Sequence, residues 1–311
     1  MADPAVHVFN GKLFIYPSHD IDCEVEENDN GDHFNMKDYH VFSMEDANGN
    51  VTDHGVVLDV KDIPWAGRQL WDSDVACKNG KYYMYFPLKD RNDIFRIGVA
   101  ISDKPEGPFK AQDNPMRGSY SIDPAVFEDN GKHYMYFGGL WGGQLQRYRN
   151  NKALESAARP EGGEPALCAK VARLSDDMLD FAEEPRDLVI LDEKGKPLTA
   201  GDTKRRFFEA SWMHKYNGKY YFSYSTGDTH LLCYATGDNP YGPFTYQGVL
   251  MTPVVGWTTH HAVVEYKGKW YLFHHDSIPS GGKSWLRSLK VTELEYEANG
   301  AIKTVDGTGL K

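Results

Sequence analysis

The chain has 311 residues, 41% of them hydrophobic and 25% charged, with a formal net charge of −11 and a pI near 5.5. This acid excess excludes nucleic-acid binding through a basic face and attraction to an anionic membrane surface, and it favours neutral ligands. No run of 18 apolar residues offers a helical membrane span, and the opening residues carry no signal-peptide pattern.

In chain order, five hairpin segments repeat one design. They read DPAVHVFNGKLFIYPS from Asp3, DSDVACKNGKYYMYFP from Asp72, DPAVFEDNGKHYMYFG from Asp123, EASWMHKYNGKYYFSYS from Glu209 and HAVVEYKGKWYLFHH from His261. Each turns on Asn-Gly or Lys-Gly, and Asn-Gly is a strong two-residue hairpin signal. The flanks are rich in Tyr, Phe and Val, as strands are. Seven places before the residue that precedes each turn glycine stand Asp3, Asp72, Asp123 and His260, while Glu209 stands eight places before Asn217.

A second phrase recurs as GVAISDKPEGPFK from Gly98 and CYATGDNPYGPFT from Cys233, with a tight turn at its Pro-x-Gly-Pro core. Segments 20–38, 59–70 and 144–206 interrupt the repeat and are expected as loops around a site; 151–160 is expected to hold a helical turn. Cys23, Cys77, Cys168 and Cys233 make no CxxC pair, so free thiols in a reducing, cytoplasmic setting are expected.

Gly80 to Gly131 and Gly218 to Gly268 are each about 50 residues, the length of one four-stranded propeller blade. The predicted fold is therefore all-β: a five-bladed β-propeller over 1–311, with its active site at one end of the central channel. A sandwich of hairpins is the alternative.

The strand openings supply Asp3, Asp123 and Glu209. Inverting glycoside hydrolysis needs one ionised carboxylate to activate water and one protonated carboxyl to protonate the leaving oxygen. A third carboxylate beside the acid raises its pKa. Glu209 follows Phe207 and Phe208, and a dry pocket suits the acid. The sequence physics does not separate the roles of Asp3 and Asp123. The chain holds no HExxH, no Cys-His spacing and no GxSxG, so the His274-His275-Asp276 run and the residues around Asp20 give no zinc signal.

These segments resemble glycoside hydrolase family 43, the five-bladed β-xylosidases and α-L-arabinofuranosidases. The resemblance implies Asp3 as general base, Asp123 as pKa modulator and Glu209 as general acid. Trp71-Asp72-Ser73-Asp74 is similar to the family's Trp-Ala-Pro-Asp, with Asp72 where Ala is usual. The resemblance also implies a channel His, here His260 with His261 as backup, beside calcium or another divalent cation. Arg287 falls where members place a sugar-contacting Arg; it is expected to keep Asp123 or Glu209 in position. Trp71 is expected to stack on the sugar, and Phe34 and His33 to cap the pocket. Trp141 and Trp212 are candidate cleft walls, with core packing the favoured role for both.

The implied activity is an inverting, exo-acting β-1,4-xylosidase acting on xylooligosaccharides or arabinose-containing oligosaccharides, with α-L-arabinofuranosidase activity. An arabinan-directed enzyme is the alternative. A non-catalytic carbohydrate-binding propeller is the alternative of another class.

Overall fold

The structure, a computed structural model, describes residues 1–149, 151–154, 159–257 and 260–309. At the five turns the residue before glycine has φ of 47° to 53° and the glycine φ of 74° to 80°. Two successive positive φ values make a type I′ turn, whose twist matches that of the strands it joins.

Each hairpin grows outward into a blade. Blade one runs Ala2–Phe9, Lys12–Ser18, Asp38–Met44 and Val51–Asp59. Blade two is centred on Lys81–Asp90, with Phe95–Ser102 and Lys110–Ala111 outside it. On its inner side Ala66–Leu70 and Asp74–Lys78 lie end to end along that strand, and the break between them carries Trp71, Asp72 and Ser73. Segment 59–70, expected as a loop, thus contributes part of an inner strand, because Leu70 pairs with Leu88.

Blade three is Ala125–Asp129, Lys132–Phe137, Lys170–Arg173 and Arg186–Asp187. Blade four is Glu209–Tyr216, Lys219–Ser225, Leu232–Gly237 and Phe244–Met251, extended by a parallel pairing with Ile190–Leu191. Blade five is His261–Tyr266, Lys269–Asp276 and Ser288–Leu294. Of the helical turn expected at 151–160, Lys152–Ala153 instead pairs with Tyr148–Arg149, and 155–158 lie outside the described residues.

The five inner strands touch their neighbours in a closed ring, from Ala2–Phe9 through blades two, three and four to His261–Tyr266 and back. Apolar side chains from adjacent blades merge into two large buried clusters between them.

Polar staples fix the blades in sequence. Six places after the turn asparagine, Tyr16, Tyr85 and Tyr136 each donate a hydroxyl proton to a carbonyl of the next blade, on Pro105, Met178 and Pro240, all at 2.9 Å. Pro105 and Pro240 open the two Pro-x-Gly-Pro turns, so the second repeated phrase receives the tyrosine of the first. The Asp74 carboxylate, fully buried, accepts the Val126 amide at 2.6 Å and bonds His7 Nε2 at 2.5 Å, tying blade two to both neighbours. A buried acceptor of this kind is costly to leave unpaired.

Between blades five and one no peptide connects the sheets. Tyr266 donates to the carbonyls of Gly11 and Glu45 at 3.0 and 2.8 Å, and Arg287 of blade five binds Asp3 and Asp20 of blade one.

At Gly80, φ is +74° and an added Cβ would meet nothing within 4 Å. Gly80→Ala therefore isolates the backbone cost of the left-handed conformation. We expect a loss of about 1–2 kcal/mol, seen as a lower denaturation midpoint in urea with an unchanged slope.

Candidate active site

The strand openings are locally irregular. Asp3 and Asp123 sit at φ of 45° and 60°, a region that non-glycine residues seldom occupy. The third residue so placed is Ala210 at 64°, not Glu209. Ala210 lies seven places before Asn217, so it is the positional match of Asp3 and Asp123, and Glu209 is one residue earlier. The same bulge occurs in blades one and four: Ala2 and Ala5 oppose Ser18 and Tyr16, while Glu209 and Trp212 oppose Ser225 and Ser223. One extra residue on the inner strand re-aims the side chains there.

Asp3, Asp72, Asp123, Glu209, His260 and Arg287 line one cavity of about 250 Å³ at the end of the channel. Such a volume lies below the ~300–1,000 Å³ of sites for drug-sized ligands and suits a ligand of one or two rings.

Asp3 is buried, and its carboxylate takes Arg287 Nη1 on Oδ1 and Ser18 Oγ on Oδ2, both at 2.7 Å. Its amide donates to His275 Nδ1 at 3.1 Å. Burial pushes the Asp3 pKa up, but Arg287, with the rings of His260 and His275 and the Ser18 hydroxyl, overrules it and holds the carboxyl well below the usual range. Arg287 is in turn bound in parallel by Asp20, through Nε at 2.9 Å and Nη2 at 2.6 Å, and the Phe34 ring lies 5.0 Å from its guanidinium carbon. The sequence places Arg287 beside Asp123 or Glu209; its ion pairs instead go to Asp3 and Asp20.

Glu209 has the opposite environment. Its residue stays partly open to the cavity, yet burial and the nearby Asp123 charge raise its pKa to about 8. Asp123 Oδ2 is fixed by the Ala210 amide at 2.6 Å and by His260 Nε2 at 2.9 Å. Burial alone would lower the His260 pKa; Asp123, by charge and hydrogen bond, raises it to about 9. Asp72, against Asp123, is pushed well above the carboxylate range by burial and by that neighbour's charge.

Donor atoms of Asp72, Asp123 and His260 lie within 4.8 Å of one another. Two carboxylates and one imidazole would hold a hard divalent cation only with water filling most of its shell, and its charge would relieve the repulsion between the carboxylates. His261, expected as backup ligand, is not part of this group. It follows His260 at the start of the strand and turns to the other side, with Nε2 on Ser223 Oγ at 2.6 Å.

Segment 20–38 does form a wall of the cavity, with Glu27, Asn28, Gly31, His33 and Phe34. Trp71 also lines it, clasped by its Nε1 donating to the Phe34 carbonyl at 3.0 Å. Trp212 is buried as expected. Trp141, expected in the core, instead lines the cavity and stacks on Trp257 with centroids 5.6 Å apart and planes at 13°. Sequence reasoning missed Trp257, Asp20, Ser18 and His275; Trp257, three residues before His260, was the legible one.

A carboxylate held ionised and a carboxyl held protonated, lining one small cavity, form the acid–base kit of glycoside hydrolysis. The sequence profile of glycosyl hydrolases family 43 matches residues 33–302, which takes in Asp123, Glu209, His260 and Arg287 and begins after Asp3.

The chain belongs to glycosyl hydrolases family 43.

Among family members, a xylosidase/arabinosidase of Bacteroides ovatus is 78% identical, over 99% of this chain and 95% of its own length. A solved β-xylosidase structure, RS223, superposes with a TM-score of 0.98 at 77% identity, covering 99% of this chain and 96% of the other. A family 43 β-xylosidase/α-arabinofuranosidase from a compost microbial metagenome, solved with xylotriose in a calcium-free form, gives a TM-score of 0.96 at 62% identity over 98% and 94% of the two chains. The protein is a glycoside hydrolase with the five-bladed propeller of its family.

Arg287→Met would leave Asp3 and Asp20 buried without their cation. Removing one partner of a buried pair costs about 3–5 kcal/mol, so we expect a large fall in the thermal midpoint at neutral pH. The deficit should shrink in acid as the Asp3 carboxyl protonates. An unchanged midpoint would show that the pair contributes nothing to stability.

Proposed function

We propose that the protein is an inverting, exo-acting β-1,4-xylosidase that releases xylose from xylooligosaccharides and also cleaves α-L-arabinofuranosides. One observation carries the reading: Asp3 and Glu209 line the same cavity with their pKa values pushed in opposite directions. The names of the relatives, xylosidase/arabinosidase and β-xylosidase, support the substrate class.

In this reading Asp3 removes a proton from a water as the water oxygen bonds to the anomeric carbon. The glycosidic bond breaks on the opposite face, and Glu209 gives its proton to the departing oxygen. Inversion follows, because the new bond forms opposite the one that breaks. Asp123 holds Glu209 protonated through its charge, and its bond to the Ala210 amide keeps the two strand openings in register. Arg287 keeps Asp3 ionised and orients it.

The cavity wall made by segment 20–38 and the Trp141–Trp257 stack supports cutting from a chain end, since a long polymer needs an open groove. Asp72, Asp123 and His260 would hold a divalent cation, with calcium the first candidate, and it would supply positive charge among the carboxylates of the cavity. Four free cysteines accord with a reducing compartment.

Glu209→Ala should lower kcat on xylobiose by ~10²–10⁴, and far less on a nitrophenyl xyloside, whose leaving group needs no proton. Asp3→Ala should disable both substrates alike. An Asp3 variant with unimpaired turnover would remove the proposed base.

The pH profile of kcat/KM should be asymmetric. Glu209 works protonated, and its raised pKa means activity falls as pH rises through about 8. Asp3 works ionised, and its lowered pKa puts the acid limb below the ordinary carboxylate range.

Stripping the protein with a chelator should slow hydrolysis, and calcium should restore it. A rate indifferent to both treatments would leave His260 with only its hydrogen bond to Asp123.

A further inference from the structure

A second group of metal-competent side chains lies outside the cavity lining, on blade one. His19, Asp38 and His40 bring one donor atom each to within 4.8 Å of one another. We propose that they form a binding site for a borderline transition cation of the zinc class, separate from the calcium-type site in the channel.

Strand pairing builds the group. Ser18 pairs with Tyr39 across the antiparallel strands, so His19, one step on, faces Asp38. Asp38 and His40 are two residues apart on one strand and point to the same side. His19 Nδ1 is 2.6 Å and His40 Nε2 is 3.9 Å from the same oxygen, Asp38 Oδ1. Metal–donor bonds of about 2.0–2.2 Å in a tetrahedron put donor atoms roughly 3.3 Å apart, and the two observed separations bracket that value. Two imidazoles and one carboxylate suit zinc and its neighbours, whereas calcium prefers an all-oxygen shell.

The far side of the His40 ring also has a partner. Its Nδ1 faces Asp53 Oδ1 at 3.2 Å, and the same oxygen accepts the Gly55 amide at 2.7 Å. A metal-binding histidine commonly gives its other ring proton to a carboxylate, which frees the remaining nitrogen as the ligand and fixes the ring. Here Asp53 stands ready to do so. Lys61, a cation near Asp38, is engaged at 3.0 Å by Asp59 and does not close the position. The side chains of His19, Asp38 and His40 are 32%, 18% and 17% exposed, which leaves an approach for the ion and room for water as fourth ligand.

Zinc chloride titrated calorimetrically into metal-stripped protein tests the site. A His260→Ala background removes the histidine of the channel site. In that background one zinc equivalent should remain, and His19→Gln with His40→Gln should abolish it. Asp53→Asn, which keeps all three ligands, should weaken zinc binding by about 10–100-fold. Cobalt should give the intense visible bands of a low-symmetry site only when both histidines are present. Far-UV circular dichroism checks that each variant is folded. The proposal is overturned if the His260→Ala protein binds no zinc, or if the double glutamine variant binds it as before. An Asp53→Asn protein with undiminished affinity would overturn the assigned role of Asp53.

Discussion

Closure of the five inner strands into one ring is the constraint from which the site follows. A strand opening on an isolated hairpin would face solvent, and its aspartate would be an ordinary surface acid. Once five such openings meet at one axis, Asp3, Asp72, Asp123, Glu209 and His260 share one small cavity. Low local polarity magnifies every charge there. The tyrosine hydroxyls that bond from blade to blade, and the Asp74 carboxylate that joins three blades, keep the openings at that axis.

The same confinement sorts the carboxyls by their neighbours. Asp3 and Glu209 are both sunk in the site, and burial pushes both toward the neutral form. Arg287 reverses the outcome for Asp3, while Asp123 reinforces it for Glu209. Position relative to one guanidinium and one carboxylate therefore decides which group gives a proton and which takes one. Asp72 adds a further acid where the family motif usually has alanine, and its crowding against Asp123 increases the demand for a positive charge in the channel.

Much of this was legible in the sequence, for reasons of periodicity. The Asn-Gly turns fixed the hairpins, and counting back seven residues found Asp3, Asp123 and His260 because strand openings obey local backbone geometry. Glu209 stands eight residues back rather than seven, an offset that reflects Ala210 occupying the left-handed position. What stayed hidden was set by pairing between distant segments. No local signal joins Arg287 to Asp20 and Asp3, 267 and 284 residues away, and so the arginine was assigned to the wrong carboxylates. His261 was misjudged because one step along a strand changes the face. The cavity position of Trp141 depends on a stacking partner, Trp257, that the chain supplies 116 residues later, between blades four and five.

Blades five and one meet without a peptide link, and Arg287 spans that join while also serving as the counter-ion of Asp3. One side chain thus has two dependants, the shape of the molecule and the proton affinity of its base. Any early loosening of the join during warming would withdraw the positive charge from Asp3 while most of the β-structure is still in place. Catalytic competence should then disappear ahead of secondary structure, so that the enzyme goes silent before it unravels.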